Sequence, residues 1–229
     1  MSRLIEAIES AGYADRIFND KQLTRIFGGA HSSRYGLVNR ALKDRSLIRI
    51  RRGLYMLGTR PQLSIHPFVV AQSLRSGSYI SFESSLSYHG WIPEAVYTTT
   101  SVSPDRKTIE CETDVFGHFS FNPVAIEKYG FLVGVDRVKL GISVALIAQP
   151  LRAFMDLVAV RKAEWQGLDW VEDGMRIDLA NLVTLRKSDF SSLRPVYKHK
   201  RAHRFLQELE TAVLSLKSAR PSRKEMRID

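Results

Sequence analysis

The segment LIRIRRGLYML at residues 47–57 constrains the fold more than any other part of the sequence. In its first half two isoleucines alternate with two arginines, and this period of two is that of a strand with one apolar and one basic face. Gly53 then permits a tight turn, after which the apolar run 54–57 returns. The segment therefore predicts a β-hairpin with arginines at its tip.

Three helical patterns precede this hairpin. Apolar residues recur at helical spacing near the start of the chain, and Asn19 or Asp20 is suited to cap a second, shorter helix. Ser32 or Ser33 is suited to cap a third helix, which we expect to end near Ser46. Three helices followed by a hairpin predict a winged helix-turn-helix.

Positive charge is concentrated at the two ends of the chain. The 229 residues contain 34 Lys and Arg against 24 Asp and Glu, a net charge of +10. Residues 1–60 contribute +7, residues 61–193 contribute −3 and residues 194–229 contribute +6. This asymmetry indicates an anionic partner at the ends, most simply nucleic acid, although two solvated basic surfaces remain an alternative.

The basic winged segment predicts an interface for double-stranded DNA. A helix of about twelve residues fits the major groove, and a basic hairpin tip can reach phosphates or the minor groove. Arg34, Asn39 and Arg40 are candidate readers of bases or phosphates. Three alternatives remain open. Ser32 and Ser33 merely cap the helix, Tyr35 fills the edge of the core, or the whole unit docks on another protein. The full candidate set is Ser32, Ser33, Arg34, Tyr35, Asn39, Arg40, Lys43, Arg49, Arg51 and Arg52.

The rest of the chain mixes strand and helix patterns without regular alternation, which predicts an α+β fold. We expect a winged helix-turn-helix over 1–60, a mixed α+β domain with C-terminal helices over 61–217 and a flexible tail over 218–229. The strand patterns cover about 79–81, 96–102, 107–111, 116–121, 132–135 and 138–140, and the longer helical patterns cover 81–89 and 150–162.

Composition excludes several classes of protein. Cys111 is the single cysteine, so the chain has no internal disulfide and no cysteine-based zinc site. No apolar run reaches the length of about 18–20 residues that crosses a bilayer, and the start MSRLIEAIES lacks the features of a secretory signal. We therefore expect a cytoplasmic protein without a membrane partner.

The search for catalytic motifs predicts that the chain is not an enzyme and has no cofactor or resident metal. The sequence has no P-loop, no G-x-S-x-G and no H-E-x-x-H. Asp105, Glu110 and Glu112 crowd one polar region, which leaves a metal-dependent nuclease as an alternative. A solvated acidic loop and strand edge is the preferred interpretation, because the lysine typical of such nuclease sites does not follow.

The run YISFESSLSYHGWIPE at residues 79–94 resembles the signature of AbiEi-type antitoxins, which are transcription regulators of type IV toxin–antitoxin systems in abortive infection and antiviral defence. The family pattern is approximately S-x-E-S-A-L-S-Y-H-G-L-I-P-E, and this chain departs from it at Ser85 and Trp91.

Two further segments carry the same resemblance. The run AQPLRAFMDL at 148–157 is similar to the family's A-x-P-x-K-A-x-x-D-L helix, with Arg152 in place of lysine. The run RGLY at 52–55 is similar to the family's R-x-G-x-Y wing. The resemblance covers roughly residues 1–160.

The resemblance implies partners and a function. Members of the family bind repeats in their own promoter through the winged domain and repress the operon. They also counteract a nucleotidyltransferase-like toxin encoded beside them, without a stable complex between the two proteins. A stand-alone winged-helix regulator without a toxin is the alternative, and the resemblance implies no catalytic residue.

A second basic cluster follows residue 194. Lys198, Lys200, Arg201 and Arg204 could hold a phosphate backbone or an acidic surface of the toxin. The alternative is a solvated face of a helix whose apolar stripe ends near Lys217.

Overall fold

The computed structural model describes residues 3–28, 31–58 and 65–219, without the side chains of His31 and Ser32. The N-terminal unit contains three helices and a three-stranded antiparallel sheet in the order β1-β3-β2. Its elements are α1 (Arg3–Ser10), β1 (Phe18–Asn19), α2 (Asp20–Phe27), α3 (His31–Lys43), β2 (Leu47–Arg51) and β3 (Leu54–Leu57).

Local sequence signals set most boundaries in this unit. Asn19 caps α2, and its side chain and that of Gln22 each accept the other's backbone N–H, at 3.0 and 2.8 Å. Gly53 adopts φ +78° between β2 and β3, as the hairpin turn requires.

The predicted boundaries of the third helix are wrong at both ends. The helix begins at His31, so Ser32 and Ser33 lie within its first turn and do not cap it. It ends at Lys43, because the Asp44 carboxylate accepts the Ser46 backbone N–H at 2.9 Å and so stabilises a turn there.

The hairpin joins the N-terminal unit to the rest of the protein. All four residues of β3 are buried. Tyr55 and Leu57 pack among the helices of the N-terminal unit, whereas Leu54 and Met56 pack against the larger domain. Because side chains alternate along a strand, one strand contributes to two cores. The expected boundary near residue 60 falls within 59–64, which lie outside the described residues.

The larger domain has a six-stranded mixed sheet in the order β6-β7-β5-β4-β9-β8, which confirms the predicted α+β class. The β5/β7 and β4/β9 pairs are parallel, and the other pairs are antiparallel. The elements in chain order are α4 (Pro67–Leu74), β4 (Tyr79–Ile80), α5 (Phe82–Tyr88), β5 (Thr98–Ser103), β6 (Ile109–Thr113), β7 (Gly117–Pro123), β8 (Val135–Leu140), β9 (Ser143–Ala148), α6 (Pro150–Arg161), a π-helical turn (Trp170–Gly174), α7 (Leu179–Leu182), α8 (Lys187–Leu193) and α9 (Lys200–Ala219).

Each face of this sheet is covered by a different layer. Tyr79 belongs to the core formed with α5, α6 and α9, whereas the next residue, Ile80, belongs to the core formed with α4 and the N-terminal hairpin. No helix within the described ranges is long and apolar enough to span a membrane.

Three elements differ from their predicted form. The predicted strand 132–135 is turn over 132–134, the strand predicted over 138–140 is longer and forms β8 from Val135, and β9 was not predicted at all. The run VALIA at 144–148 of β9 is continuously apolar, and such a run fits a buried helix as well as a buried strand. Helix α9 extends to Ala219, two residues into the expected tail, and 220–229 lie outside the described residues.

Candidate functional sites

Helix α3 presents one polar face outside the N-terminal core. Val38 and Ala41 are buried against α1 and the small sheet, whereas Arg40 and Lys43 are exposed. Tyr35 is 63% exposed, so the alternative that its ring fills the edge of the core is wrong. The exposed face of α3 therefore combines two cations with an aromatic side chain.

Gly36 lies on this exposed face, and the sequence interpretation did not single it out. A methyl group added there would have no described atom within 4 Å apart from the helix's own nearby backbone, and the backbone φ is not positive. Glycine inside a helix costs about 0.5–1 kcal/mol relative to alanine. Nothing within the described fold requires glycine here, but its missing side chain lets another molecule approach the helix backbone closely.

Two of the three predicted reader residues are less available than Arg40. Arg34 Nη1 donates to the Gly28 carbonyl oxygen at 3.2 Å, so this guanidinium connects α3 to the end of α2. Asn39 is half-buried, and Ser33 is exposed at the start of the helix. The side chain of Ser32 lies outside the described residues.

Arg49, Arg51 and Arg52 are exposed along β2 and at the hairpin tip. The backbone N–H of Asp20 donates to the Gly53 carbonyl oxygen at 3.3 Å, so the first residue of α2 holds the turn in place. The hairpin is therefore fixed to the helices by a backbone contact as well as by its buried strand.

The signature segment forms a buried hydrogen-bond cluster with α6. Tyr79 and Ser81 donate their hydroxyls to Asp156 Oδ2 at 2.9 and 2.8 Å. Tyr197, which follows α8, donates to Oδ1 at 2.9 Å. Burial raises the pKa of both tyrosines, and the Asp156 carboxylate raises it further, so both stay protonated as donors.

Arg152 completes this cluster with its guanidinium. Its Nε donates to Asp156 Oδ1 at 2.9 Å, and both side chains are fully buried. Its remaining donors reach the Tyr79 hydroxyl at 2.6 Å and the carbonyl oxygens of Gly130 and Val133 at 3.0 and 2.5 Å. Burial is the largest single effect and opposes the charged form, but the Asp156 carboxylate, its hydrogen bond to the guanidinium and the hydroxyls of Tyr197 and Tyr79 together outweigh burial and hold the arginine pKa above its ordinary value. The segment 148–157 thus supplies both halves of a buried ion pair, and the signature segment supplies two of the hydroxyl groups that bind its carboxylate.

Other polar residues of the signature form hydrogen bonds that connect α5 and the residue after it to β9 and β5. Ser85 donates to the Ala148 carbonyl oxygen at 2.6 Å, and His89 Nε2 lies 3.0 Å from the same oxygen. Since a carbonyl only accepts, Nε2 carries the proton. Burial lowers the pKa of His89, which favours the neutral ring. Ser84 accepts the Thr100 N–H at 2.8 Å. These contacts give each residue a structural role.

Among the acidic residues considered for a nuclease, Asp105 lies in a different environment from Glu110 and Glu112. Asp105 forms a two-point ion pair with Arg75, which lowers the pKa of the carboxyl group. Glu110 and Glu112 are exposed on the edge strand β6, and Glu112 lies 3.5 Å from His118. Within the part of the chain that the structure describes, no three His, Cys, Asp or Glu residues are grouped to hold a metal ion.

The C-terminal basic residues surround the start of α9. Lys198, Lys200 and Arg204 are exposed. Arg201 Nη1 donates to the Lys162 carbonyl oxygen at 2.9 Å, which anchors this arginine to the end of α6. The cluster is thus a surface on the helical side of the large sheet, and its ligand stays a prediction.

Comparison with known proteins adds a likeness of fold. No family profile matches the chain, and no curated protein matches it. Among solved structures, the RV2827C protein from Mycobacterium tuberculosis is similar with a TM-score of 0.53 and 13% sequence identity, over 96% of this chain and 81% of that one. At this identity the likeness shows a shared α+β arrangement and nothing about function.

Proposed function

We propose that this protein is a double-stranded-DNA-binding autorepressor and the antitoxin of an AbiEi-type toxin–antitoxin pair, and that it has no enzymatic activity. One observation carries the DNA-binding part. The exposed face of α3, with Arg40 and Lys43, belongs to the same small unit as an exposed arginine hairpin. Such cations supply the phosphate and base contacts that a DNA complex needs.

The order of elements supports a winged helix-turn-helix in this unit. In chain order α3 begins at His31, shortly after α2 ends at Phe27, and the hairpin follows α3. In this arrangement α3 is the recognition helix and the β2–β3 hairpin is the wing. The 13 residues of α3 span about 20 Å at 1.5 Å per residue, which suits insertion into a major groove.

The antitoxin part rests on the resemblance, and the buried cluster supports it. The signature provides Tyr79 and Ser81, and the second similar segment provides Arg152 and Asp156. Because these groups satisfy one another, the two motifs have a structural reason to occur together and need no catalytic role.

A DNA-binding assay tests the first part. We would measure binding of the full chain to the DNA upstream of its own gene by fluorescence anisotropy, and compare the double variant Arg40→Ala, Lys43→Ala with the control Arg137→Ala, Lys139→Ala on β8. The α3 variant should bind at least tenfold more weakly, since each lost charge-assisted contact costs about 1–3 kcal/mol. Equal affinities for both variants would contradict α3 as the recognition helix.

Coexpression tests the antitoxin part separately. The full chain should restore growth to cells that express a nucleotidyltransferase-like protein encoded next to it, and the α3 variant should restore growth equally well. Failure of the intact protein to restore growth, together with normal promoter binding, would favour a stand-alone regulator.

A further inference from the structure

A cleft of about 510 Å³ lies on the face of the large sheet opposite the N-terminal unit. Its walls come from α5, the following loop, β5, α6 and the end of the π-helical turn. This volume is within the range of about 300–1,000 Å³ that is typical of small-molecule sites. The lining residues used below are Glu83, Leu86, Glu94, Leu157, Arg161, Met175 and Arg176.

The cleft combines an apolar floor with a charged rim. Leu86, Leu157 and Met175 form the floor. Two ion pairs form the rim: Arg161 Nη2 lies 2.6 Å from Glu83 Oε1, and Arg176 Nε lies 2.5 Å from Glu94 Oε1.

Each ion pair leaves bonding capacity toward the cleft. The Oε1 atom of Glu94 is buried against Arg176, but the Glu94 side chain is 39% exposed, so its second carboxylate oxygen, Oε2, is the one that a ligand can reach. Arg161 Nη1 has the Met175 sulfur as its partner at 3.6 Å, and a thioether is a weak acceptor. A ligand ammonium would satisfy Glu94, and a ligand carboxylate would be a stronger partner for Arg161.

We propose that this cleft binds a zwitterion with an apolar side chain, that is, an apolar α-amino acid or a short apolar peptide with free ends. Glu94 receives the ammonium group, Arg161 receives the carboxylate, and the side chain packs on Leu86, Leu157 and Met175. A purely anionic ligand would meet both glutamates, and a purely cationic one would meet both arginines. A ligand that carries one charge of each sign complements the rim.

The lip of the cleft is locally strained where a ligand would enter. Arg176, next to the π-helical turn, has a left-handed backbone with φ +54°. A left-handed backbone costs free energy in any residue other than glycine. Left-handed residues and π-helical turns are both frequent at functional sites.

Ligand binding to the full-length protein tests the proposal. We would titrate leucine, methionine, phenylalanine and leucyl-leucine, and follow the melting temperature and the heat of binding. Leucinamide lacks the carboxylate and N-acetyl-leucine lacks the ammonium group, so both should bind at least about tenfold more weakly than leucine. At several times its Kd, a true ligand should raise the melting temperature by about 2–4 °C.

Matched variants locate the site. Glu94→Gln should abolish the preference for leucine over N-acetyl-leucine, and Arg161→Gln the preference for leucine over leucinamide. Glu127→Gln changes an exposed carboxylate outside the cleft and should leave both preferences intact. Stronger binding of leucyl-leucine than of leucine would identify a peptide as the ligand. Absence of binding by all four zwitterions, or equal binding of the blocked analogues to the wild-type protein, would overturn the proposal even if a variant fails to fold.

Discussion

Replacement of Gly36 by alanine should affect stability and DNA binding in opposite directions. Gly36 lies inside α3 on its exposed face, and an added methyl group meets no described atom apart from nearby helix backbone. Alanine is better than glycine in a helix interior by about 0.5–1 kcal/mol, chiefly because it restricts the unfolded chain. For a protein of this size, that gain corresponds to a rise of about 1–4 °C in melting temperature.

The same methyl group should weaken DNA binding if α3 enters the groove at this point. A packed interface has little spare room, and insertion of one extra carbon into a close contact costs about 1–3 kcal/mol. We therefore expect Gly36→Ala to melt at a higher temperature and to bind the promoter about 5–150-fold more weakly. Thermal denaturation and fluorescence anisotropy, done on the same preparation, measure the two effects.

A control in another helix separates the two effects. Ser215 is exposed on α9, so Ser215→Ala should stabilise the protein by a few tenths of a kcal/mol and leave DNA binding unchanged. If Gly36→Ala stabilises the protein but binds DNA as tightly as the wild type, the backbone of α3 does not approach the duplex at Gly36. If Gly36→Ala destabilises the protein, our account of this glycine is wrong.

Three further changes test the wing, the buried cluster and the signature histidine. The double variant Arg51→Ala, Arg52→Ala should weaken binding to any DNA sequence and reduce the slope of log K against log salt by up to about 1.8, if both side chains contact phosphates. Asp156→Ala leaves the Arg152 guanidinium buried without its counter-charge, so the free energy of unfolding should fall by about 3–5 kcal/mol, as measured by urea denaturation. Burial lowers the pKa of His89 below that of the unfolded chain, so the unfolded state takes up the proton first and stability should decrease as pH falls through about 6.5, less steeply in His89→Asn.

Each of these three test variants has a matched control variant. The double variant Arg137→Ala, Lys139→Ala removes two exposed cations from β8 and should keep the salt slope. Asp114→Ala changes an exposed carboxylate between β6 and β7 and should cost far less than Asp156→Ala. His199→Asn changes an exposed histidine and should keep the full pH dependence. If any control behaves like its test variant, the reasoning for that site fails.

Local patterns in the sequence determined the elements that depend on near neighbours along the chain. The alternation of LIRIR and the turn at Gly53 predicted the hairpin, and Asn19 is one of the two residues predicted to cap α2. The mixed order of short strands and helices predicted the α+β class, and the Pro150 start predicted α6. These signals act over two to four residues, which is why they can be read without coordinates.

Contacts between distant segments were decided by the tertiary structure alone. The sequence did not predict that Tyr197 would meet Asp156, or that Glu83 and Glu94 would share a cleft with Arg161. The strand β9 escaped notice because a continuously apolar run has no period, and its identity as a strand depends on β4 and β8 on either side. Pairings of this kind follow from how the sheet is ordered and covered. The spacing of residues within one segment does not determine the order of the strands in the sheet.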